Sequence, residues 1–599
     1  MAPPAAFANY PEPKEGPEAK YNPKVLQNPV FRGIPLVIGA AIISRVDFLQ
    51  QYLWGNAGFA TLRDIPELDE IPYRFHPAVT PLGATSPMLE LGPELLKATH
   101  TNPEQRYWTA NDYHEMYKAG KVTPSQVVEA LLPLITRGDV PVGTYDNAWV
   151  DSHGKDHLVR EAAKASTDRW AAGKPLGVLD GVPIGVKDDT SVKGYSNHNG
   201  MKYNPSVPFF KEQEESVWPV RKLQEAGAIV IGKNAMHELG SDTSGCNSIQ
   251  GTATNFHNKT YYPGGSSSGA ASCLSVGLVP ICVGTDAGGS ARVPAAFNGV
   301  YGLKTTHHRT MFMKNTMCVT SPLAASVADL TIAYRIMSQP NADCPTQSRF
   351  ALSIPPEPSA RKIMGIYRDW WKQADPRVAE ACEKAIDYFA NRCGYEIVDI
   401  SIPLVPEAQL AHSAVCITEM AEDARRRAPD WLSLVGSPNK VVLTIGAKTP
   451  AADYLQYNAM RELIMRHLAF LFQKHPGLLI MTPTTPIPGW PITPGDEKYG
   501  ISDTNTTIRN MIYVFLANLT GTPALSAPVG YVDADQGDGK LPVGLMATGE
   551  WGSEEQLLGW ACEAEKFVYD EVDGGRRRPS EWLDVMDLVQ KTESNAEEV

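Results

Sequence analysis

Between about residues 104 and 305 the chain alternates helix-like stretches with short apolar pieces, and this alternation most restricts what it can fold into. Thr123-Pro-Ser-Gln126 runs into Val127-Val-Glu-Ala-Leu-Leu132, a helix start with proline at an early position. Residues 156–172 have an amphipathic helical pattern closed by Gly173-Lys-Pro175. Two apolar pieces then flank an Asp-Gly turn in Leu179-Asp-Gly-Val-Pro-Ile-Gly-Val186. A helical pattern over 217–225, a stop at Gly227 and the strand-like Ala228-Ile-Val-Ile231 follow, and later the apolar run Leu278-Val-Pro-Ile-Cys-Val283. Strands interleaved with helices predict an α/β fold.

Residues 310–480 hold helix-like stretches at 376–392, 406–427 and 453–472, with few groups suited to chemistry. Strand-and-turn patterns return at Leu478-Leu-Ile-Met481 and over 521–530. The expected organisation is one domain over 101–575 with a variable middle region, 310–480. Before it lies an N-terminal extension, 1–100, whose Pro-rich first thirty residues read as a mobile arm. After it lies a charged tail, 576–599, expected to fray.

A net charge of −13 and a pI near 5.6 argue against a polyanion-binding surface, so nucleic acid is not expected as a partner. The nine cysteines form no CxxC pair and read as small buried hydrophobes, not as a zinc site or disulfide framework. The N-terminus has no basic segment followed by an apolar run, so the expected location is cytoplasmic. Ile34-Pro-Leu-Val-Ile-Gly-Ala-Ala-Ile-Ile43 is the one candidate for membrane contact, and it is far shorter than the roughly 20 residues that span a bilayer. A buried strand or helix is the plainer expectation there, with peripheral membrane contact through 34–53 as the alternative.

The chemistry concentrates in two runs, Gly264-Gly-Ser-Ser-Ser-Gly-Ala-Ala-Ser272 and Gly284-Thr-Asp-Ala-Gly-Gly-Ser-Ala-Arg-Val-Pro294. A Gly/Ser run is often only a flexible loop, but both sit beside apolar strand-like pieces where a linker is out of place. No GxxxxGK[ST] follows, and neither run completes a dinucleotide fingerprint. A third reading fits better: a strand delivers Ser290 to a turn whose glycines let backbone N–H groups face a substrate. A serine hydroxyl still needs a base. None of the thirteen histidines is tied to these runs by a local pattern. Lys187, ending Val182-Pro-Ile-Gly-Val186, is the alternative, and acting as a base requires that burial and neighbouring donors hold a lysine neutral. Gly265-Ser-Ser-Ser-Gly269 also satisfies GxSxG, which leaves open an esterase with Ser267 as nucleophile and an unidentified histidine. A non-catalytic binding protein on the same fold is a third class.

These residues together resemble the amidase signature family. The two runs match its signature, Gly181-Val-Pro-Ile-Gly-Val-Lys-Asp188 matches its lysine motif, and Asn255, Tyr262-Pro-Gly264, Tyr301-Gly-Leu-Lys304, Gly521-Thr-Pro-Ala524 and Leu541-Pro-Val-Gly-Leu545 also fit. The likeness runs from about 100 to 570. It implies a mixed twisted β-sheet core surrounded by helices, and an amide hydrolase that needs no metal or organic cofactor. By the resemblance, Ser290 is the nucleophile, Ser266 a proton relay and Lys187 the base. The N–H groups of Ala287, Gly288, Gly289 and Ser290 form the oxyanion hole, with Asp286 and Arg292 bracing the loop. Cys282 and Ala291 depart from the commonest pattern, and both stay small and apolar. The overall pattern is similar to fungal acetamidase-like and fatty-acid-amide-hydrolase-like members. That implies a small-molecule or lipid amide as substrate and is compatible with a homodimer. Short aliphatic, aryl and long-chain acyl amides all remain open.

Overall fold

The computed structural model describes residues 6–18, 20–23, 27–83, 88–92, 95, 102, 104–137 and 144–597. Its centre is a ten-stranded mixed sheet built from β1 (Pro183–Lys187), β2 (Ile229–Asn234), β3 (Ile281–Asp286), β4 (Tyr301–Lys304), β5 (Val319–Ala324), β6 (Ile363–Ile366), β7 (Glu396–Asp399), β8 (Leu478–Pro483), β9 (Ala524–Asp533) and β10 (Lys540–Thr548). The strand order is β7-β6-β8-β10-β9-β4-β5-β3-β1-β2. The three strands at each end run parallel to one another, and the pairs between are antiparallel. Strands β1 to β5 and β8 are buried at every position, as continuous apolar strands covered on both faces must be.

The helices used below are α1 (Gly33–Ile43), α2 (Asp47–Asn56), α3 (Pro124–Ile135), α4 (Ser268–Ser275), α5 (Arg292–Asn298), α6 (Val405–Arg427), α7 (Ser437–Gly446), α8 (Ala451–Lys474), α9 (Thr504–Asn510) and α10 (Val585–Glu597). Helix α3 begins where its sequence says. The Thr123 hydroxyl accepts from Gln126 N–H and Gln126 answers to Thr123 N–H, closing a capping box with Pro124 inside the first turn.

The middle region belongs to the sheet, since β5 to β8 lie within it or at its edge. Around it, α6 and α8 pack together in a core that also takes in Trp54, Phe59, Leu62 and Leu68 of the N-terminal extension. That extension is tied down where it is described. Residues 6–8 pair with 80–82, Tyr10 donates to Glu550 at 2.6 Å, and Gly16 N–H reaches His467 Nδ1 at 3.0 Å. Residues 1–5, part of the expected arm, lie outside the described residues.

Two expectations need correction. The tail does not fray after 575: Arg576 is buried with its guanidinium 4.2 Å from the Tyr107 ring, and α10 seats Val585, Met586 and Val589 against the core that holds α3. The apolar run at 34–43 is not a buried element either. Helix α1 buries only Leu36, Ala40 and Ile43, against α7, while Ile34, Val37, Ile38 and Ile42 stay exposed, as do Phe48 and Tyr52 on α2. Being apolar on every side, α1 gives no periodic pattern from which its buried face can be read. No single described helix is long and apolar enough to cross a membrane; α1 and α2 meet at a 113° bend.

Candidate active site

The site forms where parallel β1 and β3 end side by side, their register fixed by Val186 opposite Val283. The carboxyl ends of parallel strands are where open α/β sheets place ligands. One position beyond the Val186–Val283 pair Lys187 ends β1, and its side chain reaches Thr285 near the end of β3. Lys187 is fully buried, and its Nζ donates to Ser266 Oγ at 2.8 Å and to Thr285 Oγ1 at 2.6 Å. Thr285 in turn donates to Asp189 Oδ2 at 2.6 Å, and that carboxylate lies 3.3 Å from Nζ. Thr285 and Asp189 are site residues whose roles the sequence does not reveal. Thr285 lies inside the second run and Asp189 directly follows the lysine motif, but their contact depends on β1 and β3 lying side by side.

Ser266 reaches Lys187 from the loop ahead of α4. The Gly265–Ser266 peptide is cis. Gly265 N–H donates to Thr243 O at 2.7 Å, and Ser266 O accepts from His237 N–H at 3.1 Å. A Cβ on Gly265 would lie 2.7 Å from Asp242 O, so only glycine allows this approach. Ser267 N–H donates to Ser290 O at 3.0 Å, which ties the first serine run directly to the second. Ser267 itself donates its hydroxyl to Thr285 O at 3.3 Å and is completely buried. No histidine is within hydrogen-bonding reach of that hydroxyl among the described residues, so the reading of Ser267 as an esterase nucleophile is corrected. Its place is structural.

Ser290 stands at the wall of a cleft of ≈ 110 Å³ together with Ala287 and Gly288. The loop carrying it is braced from within. Asp286 accepts from Gly289 N–H at 2.8 Å and Ala291 N–H at 3.1 Å, and it pairs with Arg292 through Nε at 3.0 Å and Nη2 at 2.9 Å. Asn518 joins both, accepting from Arg292 at 2.6 Å and donating to Asp286 Oδ1 at 2.9 Å. Burial opposes ionisation of Asp286, but the Arg292 guanidinium and these donors outweigh it and hold the carboxyl well below the usual carboxylate range. Asp286 and Arg292 therefore support the loop from behind. The Gly289 amide is spent on this brace, which corrects the expected four-donor set. Among the described residues, the N–H groups of Ala287, Gly288 and Ser290 donate to no protein acceptor.

A second clamp comes from α6. His412 Nε2 lies 2.8 Å from Ala287 O. Burial lowers the imidazole pKa to about 4, against the raising effect of that hydrogen bond, so the ring is neutral and Nε2 carries the donated proton. In a trans peptide the N–H points opposite the C=O, so holding Ala287 O turns Gly288 N–H the other way. A Cβ on Gly288 would lie 2.9 Å from His412 Cε1, so glycine is needed for the clamp to close. His412 and Asn518 lie far downstream in apolar helical sequence, where nothing local marks them. The rest of the cleft is largely apolar, with Ile417 and Met420 of α6, Pro438 and Val442 of α7, Ile508 of α9 and Met511 around it. Glu238 ties the loop that lies over Ser266 to this wall, accepting from Gly436 N–H at 2.9 Å and Asn439 Nδ2 at 2.7 Å. Burial pushes the Glu238 pKa up to about 7.

A family model described as "Amidase" matches residues 146–558. A fatty acid amide hydrolase of Medicago truncatula is 33% identical over 511 residues, covering 80% of this chain and 79% of that protein. A fatty acid amide hydrolase of Arabidopsis thaliana is 30% identical over 508 residues, covering 79% of this chain and 78% of that protein. Among solved structures, a bacterial aryl acylamidase superposes with a TM-score of 0.64 at 20% identity, over 82% of this chain and 99% of that one.

If the free N–H groups bind an oxyanion, His412 acts on turnover by holding their peptide in place. His412→Phe removes the donor to Ala287 O and is expected to lower kcat by roughly ten- to a hundredfold, less than the roughly 10²–10³ lost with an oxyanion donor itself. KM should stay near the parent value. Steady-state kinetics beside a thermal melt decide it; an unchanged kcat in a folded variant removes His412 from the site.

Proposed function

The chain belongs to the amidase family, and from that premise we propose that it hydrolyses a carboxylic acid amide through an acyl-enzyme on Ser290, with a Ser-cisSer-Lys triad of Ser290, Ser266 and Lys187. The observation that carries the triad is the 2.8 Å contact between Lys187 Nζ and Ser266 Oγ, made wholly out of water. Lys187, as the base, takes a proton from Ser266 as Ser266 takes one from Ser290, and Ser290 Oγ attacks the amide carbon. The tetrahedral oxyanion faces Ala287, Gly288 and Ser290 N–H, each donor worth about 2.7–4 kcal/mol of barrier. The Asp189 carboxylate lies 3.3 Å from the nitrogen that receives this proton. That proton returns through Ser266 to the leaving nitrogen, the C–N bond breaks, and ammonia or an amine departs. Water then attacks the ester by the same relay, releasing the acid and restoring Ser290.

The substrate best suited to the cleft is an amide with a hydrocarbon acyl chain. Most of its lining surface is apolar, with Asp242 and Asp503 among the polar residues that also line it, and relatives at 30–33% identity are named fatty acid amide hydrolases. Helix α7, which lends Pro438 and Val442 to the cleft, packs on α1, whose other sides are exposed and apolar. We place peripheral membrane contact on α1 and α2, where Ile34, Ile38, Phe48 and Tyr52 would enter the interface as a lipid amide passes to the cleft.

Two measurements test this. Ammonia release from primary amides between acetamide and oleamide, with Ser290→Ala as the blank, should give a kcat/KM that rises with chain length. The ceiling is about 0.8 kcal/mol, or fourfold, per methylene until the cleft is filled. A maximum at the shortest chains would reject the lipid substrate and keep the amidase. Flotation with phosphatidylcholine vesicles should carry the parent protein up, and Ile38→Glu with Phe48→Glu should leave it at the bottom. Equal flotation of both moves the membrane contact elsewhere.

A further inference from the structure

Away from the cleft, three imidazoles converge; His308 Nδ1 accepts from Met313 N–H at 3.3 Å, His76 is exposed, and His307 is buried with neither ring nitrogen paired. The chain leaves β4 at Lys304, and His307 and His308 follow at once. His307 is fully buried, and neither ring nitrogen has a hydrogen-bond partner, a deficit costing about 1–3 kcal/mol per unsatisfied group. His308 is also buried and has φ 69°, a left-handed conformation costly for a residue with a side chain. In extended backbone two successive side chains point to opposite faces. This turn instead brings the two rings together, with centroids 4.1 Å apart. His76 arrives from the N-terminal extension and lies exposed at the edge of the pair, its ring 6.3 Å from His307 and 5.9 Å from His308. Its segment is held there independently: Arg74 N–H donates to Asn458 O at 3.1 Å, and Pro77 O lies against Gly521, where a Cβ would come within 2.3 Å.

One ligand atom from each of the three residues falls within 4.8 Å of the others. A zinc ion with Zn–N bonds near 2.0–2.1 Å needs its nitrogens about 3.3 Å apart, so the rings must draw closer together when the ion binds. We propose that His76, His307 and His308 bind one divalent transition metal of the zinc class, with the fourth position open to solvent on the His76 side. Imidazole nitrogen suits zinc, nickel and copper, and excludes calcium and magnesium, which take oxygen ligands. None of the three residues lines the catalytic cleft, so the ion would clamp the N-terminal extension to the sheet and take no part in turnover. Arg461 and Lys304 face these rings, with Glu419 acting on His76 in the opposite sense. Two nearby cations and no carboxylate ligand weaken the hold on a dication, so binding is expected to be weaker than at a zinc site with a carboxylate ligand.

The test uses the full-length, tag-free chain stripped with EDTA. Calorimetric titration with zinc chloride should show one ion per chain, and Co²⁺ should give the strong visible bands of a four-coordinate imidazole site. His76→Ala, at an exposed position that leaves the core untouched, should weaken binding at least tenfold and abolish the rise in Tm produced by zinc. His308→Ala should do the same, while His157→Ala on the surface should leave binding as it is. Absence of saturable binding to the parent protein, or equal binding by His76→Ala and His308→Ala, overturns the proposal.

Discussion

The buried pair of Asp286 and Arg292 is the interaction on which the rest of this site depends. Both side chains are wholly out of water, where an ion pair returns little net stability because desolvation consumes most of the Coulombic gain. Its effect is geometric. One carboxylate accepts two amides of the serine loop and two guanidinium nitrogens, and Asn518 locks both partners while also donating to Asp286 O and Met317 O. With those amides fixed inward, the loop presents Ser290 and three free N–H groups to the cleft. Removing the carboxylate would leave Arg292 an unpaired buried charge, a loss of about 3–5 kcal/mol in comparable pairs.

The second constraint is steric. Gly265, Gly288 and Gly289 sit where another backbone or ring leaves no room for a side chain: Asp242 O and Gly245 N at 2.7 Å, His412 at 2.9 Å, and Val514 at 2.4 Å from the Cβ each would carry. This is why the glycine pattern is so legible. Contact at that distance leaves one residue type at each position, so the chemistry is written locally in the chain. Ser266, Ser290, Asp286 and Arg292 lie within those runs and are readable for the same reason, while Lys187 is marked by its own motif, 181–188. So is the α/β class, because β1, β2, β3 and β8 follow unbroken apolar runs bounded by turns.

What the sequence does not reveal depends on contacts between distant segments. His412 and Asn518 act through single hydrogen bonds across the fold, and a helix buried on most sides does not mark which polar residue turns inward. Thr285 and Asp189 wait on the pairing of β1 with β3. The engagement of Gly289 N–H by Asp286 is a matter of which way one amide points, and the sequence of the loop is silent on that. At the chain ends the misreadings share a cause. Charge in the tail suggests little to pack, yet Arg576 lies against tyrosine rings; the short apolar runs of the lead-in, by contrast, supply Trp54 and Phe59 to a core centred on α6 and α8. The converse error falls on α1, where uniform apolarity suggests burial and the fold leaves most of the helix facing outward.

In the proposed mechanism Lys187 draws the proton of Ser290 through Ser266, and covalent labelling of Ser290 tests this without knowledge of the natural substrate. The parent protein and the Lys187→Ala and Ser266→Ala variants would be treated with a fluorophosphonate, and the rate of adduct formation followed by intact mass across pH. The adduct should map to Ser290. Both variants should label at least a hundredfold more slowly at neutral pH, with the Lys187→Ala rate recovering as rising pH supplies hydroxide in place of the lysine. Labelling of Ser267, or labelling of Ser290 at the parent rate in a folded Lys187→Ala protein, would contradict it.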